Sequence, residues 1–85
     1  MRRNRRGEAC VETVRELKQI LREQKLKPHE GHLAHVQPVM PTIEGTTRVC
    51  GEITRNRDHE FVCYIEADTA VEVRRIVQAV GISEA

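Results

Sequence analysis

Apolar residues recur at Cys10, Val14, Leu17 and Leu21, with Val11 and Ile20 widening the stripe. That spacing is helical. Glutamates at 8, 12 and 16 and lysines at 25 and 27 complement the dipole at the two ends. Pro28 disfavours helical geometry in the residue before it, so the pattern predicts a first helix over 8–26. From 28 to 46 the chain is punctuated by Pro28, Gly31, Pro38, Pro41 and Gly45, which predicts an ordered loop or linker with at most a short edge segment at 33–36 or 39–43. Thr47–Ile53 and His59–Glu66 are rich in β-branched and aromatic residues and flank Arg55-Asn56-Arg57-Asp58, the pattern of a hairpin. A two- or four-residue loop pairs Thr54 with His59, which sets Cys50 opposite Cys63 and puts Phe61 and Tyr64 on opposite faces. Val73, Ile76, Val77 and Val80 follow at i, i+3, i+4 and i+7, behind Asp68 as a cap or Thr69 and Glu72 as a capping box, and ahead of Gly81. A second helix over 69–80 is predicted.

These elements make an α+β domain, with two helices packed on one face of a small antiparallel sheet built around the hairpin. Met1–Gly7 has no apolar periodicity and reads as a disordered basic arm, leaving 8–85 as a single domain. Strand residues Phe61-Val62-Cys63-Tyr64-Ile65-Glu66-Ala67-Asp68, followed by a helix with Val73-Arg74 and a closing Gly81, resemble a group of small bacterial ferredoxin-like domains. Members pair as dimeric α+β barrels, are mostly uncharacterised and include a nickel-binding branch. The resemblance covers about residues 47–82 and implies a ferredoxin-like fragment, a homodimer and a binding or assembly role. The family order is strand, helix, strand, strand, helix, strand, which the arm and the long 28–46 segment do not supply here. No family ligand motif matches, so no metal site is carried over. Missing strands would leave the hairpin edges bare, and both hairpin faces carry apolar residues, so a second copy is the expected partner.

Composition sharpens this picture. Eighty-five residues allow one small domain, and a chain of this size buries only about 60% of its unfolded surface. Aromatic residues are only 2% of the chain, so the core is aliphatic. Charged residues at 32% exclude a membrane span. Three cysteines without a CxxC pair or a secretory signal point to free thiols in a reducing compartment, the cytoplasm by default. Charge is distributed unevenly. Residues 1–27 hold nine basic and four acidic side chains, a balance of +5, and the remainder carries −4.

Two clusters suggest chemistry. His29, His32 and His35 recur at three-residue spacing, and imidazole suits Ni²⁺ or Zn²⁺ as a cofactor. Exposed histidines in a Pro/Gly loop are the alternative. Arg2, Arg3, Arg5 and Arg6 can neutralise phosphates, giving a nucleic-acid-associated protein as the second functional class. Against that class, the first helix alternates charge signs and no aromatic stacking platform is predicted. Nucleophile, base and orienting group do not assemble at any spacing, so a non-enzymatic role with no catalytic residues is expected.

Overall fold

A computed structural model describes residues 2–3, 7–39, 47–56 and 59–84. Along the chain run β1 (Arg2–Arg3), β2 (Ala9–Val11), α1 (Val14–Glu23), a 3₁₀ turn (Pro28–Glu30), β3 (Gly31–Pro38), β4 (Val49–Arg55), β5 (Phe61–Ala67), α2 (Ala70–Ala79) and β6 (Ser83–Glu84). The α+β class holds. The sheet is mixed rather than antiparallel, in the order β1-β2-β5-β4-β3-β6. Its centre is the antiparallel meander β3–β4–β5, while β2 joins β5 and β6 joins β3 in parallel.

The first helix is shorter than its apolar periodicity predicts. Ala9–Val11 is a strand, and α1 begins only after Thr13, whose hydroxyl accepts from the Glu16 backbone N–H at 3.1 Å. That cap fixes the helix start. Upstream of it the spacing of Cys10, Val11 and Val14 fits a helix stripe and a strand equally, and parallel pairing with β5 decides for the strand. α2 matches its expected span and uses Thr69 as its cap, with the hydroxyl accepting from Glu72 N–H at 3.1 Å.

The 28–46 segment departs furthest from expectation. Gly31–Pro38 is an eight-residue strand, paired along β4 and, at His32 and Leu33, with β6. Pro28 stands in the 3₁₀ turn and Pro38 at the strand end, where neither loses a central ladder bond. Strands therefore cover both edges of the β4–β5 hairpin, which removes the bare edges that the sequence implied. Arg2 and Arg3 likewise pair with Cys10 and Ala9 instead of standing wholly apart.

The hairpin register also differs. Arg55 N–H donates to Glu60 C=O at 2.7 Å, and the ladder sets Cys50 opposite Glu66 and Ile53 opposite Cys63. The strands close three positions away from the expected register, an odd shift that moves residues to the other face. Cys50 and Cys63 are thus on opposite sides of the sheet. Val11, Leu33, Ile53, Cys63 and Ile65 are fully buried under the helices with Leu17, Val73 and Val77. Gly51 lets this layer close: a Cβ there would lie 2.6 Å from Leu33 Cδ1 and 3.3 Å from Val73 Cγ1.

Candidate functional site on the open sheet face

The sheet face away from the helices is laid out by alternation. From the ladder, Ser83, His32, Thr54 and Phe61 share one lateral row; Ala34, Glu52, Tyr64 and Cys10 share the next; Gln37, Cys50 and Glu66 share a third. Phe61 joins this face because of a bulge. Ile53 pairs with Cys63 and the next residue, Thr54, pairs with Phe61, so Val62 is an extra residue on β5. Bulges bend a strand and re-aim its side chains. Here Val62 turns into the core at 7% exposure, and Phe61 swings beside Tyr64 with ring centroids 4.4 Å apart and planes inclined at 49°. Phe61 and Tyr64 therefore share a face, contrary to strict alternation, and form the aromatic platform that the sequence does not predict.

Next to Tyr64 lies an open pocket of about 170 Å³ lined by Cys10, Val39, Cys50, Tyr64 and Glu66. Cys10 is buried and its thiol donates to Glu66 Oε2 at 3.0 Å. Glu66 Oε1 lies 3.6 Å from Arg48 Nε, and Arg48 also reaches Glu12 at 3.2 Å and Asp68 at 3.3 Å. One guanidinium thus bridges three carboxylates at the junctions of β2 with α1 and of β5 with α2. The volume is below the roughly 300 Å³ at which sites for whole small molecules begin. It suits one ring or one functional group of a larger ligand. Cys10 and Cys50 are two strands apart and offset along them, roughly 11 Å between Cα atoms by standard sheet spacings, beyond the reach of a disulfide. None of the three cysteines is in a disulfide. Cys63, under the helices, is pushed up to about 12 by burial and takes no part in this face.

The sequence-predicted ligands are dispersed. His29 is exposed on the 3₁₀ turn, His32 is half-buried on β3, and His35 is exposed at the irregularity in β3 with φ of 50°. Among the described residues, no three His, Cys, Asp or Glu side chains are grouped closely enough to hold a metal ion. A strand separates His32 from His35 by about 10 Å, where a wrapped loop would have converged them. His32 Nδ1 is buried with no hydrogen-bond partner among the described residues. Of the arginine cluster, Arg2 and Arg3 are fixed by backbone pairing at the β2 edge; Arg5 and Arg6 lie outside the described residues.

The arginines and the thiols are visible in the sequence, but the face on which Tyr64, Phe61, Glu66 and Cys10 assemble is not. Its signal is the hydrogen-bonding and aromatic character of alternate positions, which the wrong hairpin register masks. No helix among the described residues is long and apolar enough to cross a membrane. Compared with known protein families, with curated proteins and with solved structures, the chain matches none.

Proposed function

We propose that this protein is a small non-enzymatic binding module whose working surface is the open sheet face centred on Phe61 and Tyr64. The observation that carries this is the Val62 bulge, which brings two of the chain's scarce rings together away from the core. Aromatic side chains normally dominate core burial. Here the core is aliphatic and the rings are half-buried on the opposite side, beside a pocket of one-ring size. Thr54 and Glu52 stand beside them in the ladder, and His32, Gln37 and Ser83 carry hydrogen-bonding groups further across the same face. A planar, polar group is the ligand chemistry this surface suits. The resemblance to dimeric ferredoxin-like domains supports the same class of role, an α+β sheet face given over to a partner.

Amide-resolved NMR spectra recorded during titration with adenosine, a neutral aromatic probe, test this directly. Saturable shifts concentrated at 50–54 and 61–66 are expected. Shifts confined to α1 and α2, or none, would remove the open face as the working surface.

A further inference from the structure

We infer that the exposed face of α1 binds double-stranded nucleic acid through its phosphates, on the helix layer and apart from the open sheet face. Arg15, Lys18 and Arg22 are exposed at i, i+3 and i+7. By helix geometry they fall within an arc of about 60° and climb about 10 Å along the axis. Lys25 continues the row in the closing turn and is exposed as well. None of these four side chains has an ion-pair partner among the described residues, whereas Arg48, Arg55, Arg74 and Arg75 each meet a carboxylate.

The sequence hides this row, because Glu12, Glu16 and Glu23 alternate with the basic residues. In the fold, Glu12 meets Arg48 at 3.2 Å. Glu16 turns back over the helix start, accepting from Glu12 N–H at 3.1 Å and from the Thr13 hydroxyl at 3.2 Å. Of the two glutamates in α1 only Glu23 stays exposed, about 80° round the helix from Arg15. Lys25 adds a separate sign. It occupies the left-handed position, at φ 54°, that Gly81 fills after α2. A side chain is strained there, so the lysine costs stability and keeps a fourth cation in the row. Strained backbone of this kind clusters at functional surfaces.

A phosphate polymer fits this row better than other anions do. Leu17, Ile20 and Leu21, the apolar side of α1, are buried, so the helix has no face to insert into a membrane. Residues 14–27 hold no aromatic side chain on which an unpaired base could stack. A second copy offers carboxylates already paired, such as Glu72 and Glu84. What remains is a straight row of point charges. It complements a duplex, with about one negative charge per 1.7 Å of axis, without reading its bases.

Fluorescence anisotropy of a labelled sixteen-base-pair DNA duplex across a salt series provides the test, with melting curves to verify folding. A dissociation constant of about 1–100 μM at physiological salt, weakening as salt rises, is expected. Lys18→Gln/Arg22→Gln and Arg74→Gln/Arg75→Gln change the net charge equally, the first on the row and the second at paired, exposed sites. The α1 pair lowers affinity and reduces the salt slope by roughly 0.9 for each phosphate that is no longer neutralised. The α2 pair leaves both close to wild type. Lys25→Gly separates binding from folding, since it raises the melting temperature and still weakens binding. Equal losses in the two double variants would overturn the proposal, leaving net charge alone. Absence of duplex binding would overturn it too, including where the α1 pair instead abolishes binding to phosphatidylserine vesicles or a salt-sensitive dimer in sedimentation. Tighter binding of a single strand of the same length, unaffected by the α1 pair, would do the same. The adenosine response of the open face is independent of all these outcomes.

Discussion

Phe61 and Tyr64 are three positions apart in one strand, yet their rings touch at a centroid separation of 4.4 Å. Regular alternation puts positions i and i+3 on opposite faces. The extra residue at Val62 breaks that rule, burying its own side chain in the core and returning Phe61 to the face of Tyr64. The core gains a valine and the open face gains a second ring from one backbone irregularity.

A double-mutant cycle on Phe61→Ala and Tyr64→Ala measures this pairing. A coupling of about 0.5–1.5 kcal/mol is expected for a tilted aromatic pair beyond its area burial. Additive effects within about 0.3 kcal/mol would place the rings apart.

Gly51 marks the closest approach between the sheet and its covering layer. Gly51→Ala drives a methyl into Leu33 and Val73, both fully buried, so the neighbours have little room to yield. Overpacking of this kind costs about 1–3 kcal/mol. Denaturant unfolding checks it, with a shift in midpoint at unchanged slope.

Both helices end in the same turn, with different residues at its strained position. After α2, Ile82 N–H donates to Val77 C=O and Gly81 N–H to Gln78 C=O, each at 3.0 Å, with Gly81 at φ 91°. After α1, Leu26 N–H donates to Leu21 C=O at 2.9 Å and Lys25 N–H to Arg22 C=O at 3.1 Å, with Lys25 at φ 54°. Glycine suits this left-handed position and a side chain strains it. Gly81→Ala therefore destabilises by about 1 kcal/mol and Lys25→Gly stabilises by up to about 1 kcal/mol. Thermal melts of the two variants should move in opposite directions.

Burial holds the Cys63 thiol protonated to about pH 12. An acid whose folded value is raised contributes no penalty below the unfolded value of about 8.5 and costs stability above it, because only the unfolded state releases the proton. Stability should fall by about 2 kcal/mol between pH 8.5 and 10 from this group, and Cys63→Ala should flatten that limb. Iodoacetamide at pH 8 should label Cys50, half-buried at the pocket, and spare Cys63. Labelling of Cys63 in the folded protein would contradict its position under the helices.

How far the sequence reveals this molecule follows from which rules its residues obey. α2 is legible because a capping threonine, a 3.6-residue stripe and a closing glycine all agree on one element. Cys10 and Val11 satisfy two periodicities at once, and only the tertiary pairing of β2 with β5 separates them. Gly31–Pro38 reads as a loop when its prolines are counted without their positions, which are the strand's flanks. The open face is illegible for a sharper reason. The longer hairpin connection shifts the register by two and the bulge by one more, so the bulge alone changes parity, and neither leaves a signature in the hydrophobic pattern. The histidine spacing suggests a ligand set only while that segment is read as a loop.

Tyr64 is the only tyrosine and the chain has no tryptophan, so its emission reports the platform alone. Titrating the protein with adenosine while following that emission tests the central claim in one measurement. Binding at the platform predicts saturable quenching that Phe61→Leu weakens. Emission that stays constant throughout the titration would place the ligand elsewhere and contradict the account.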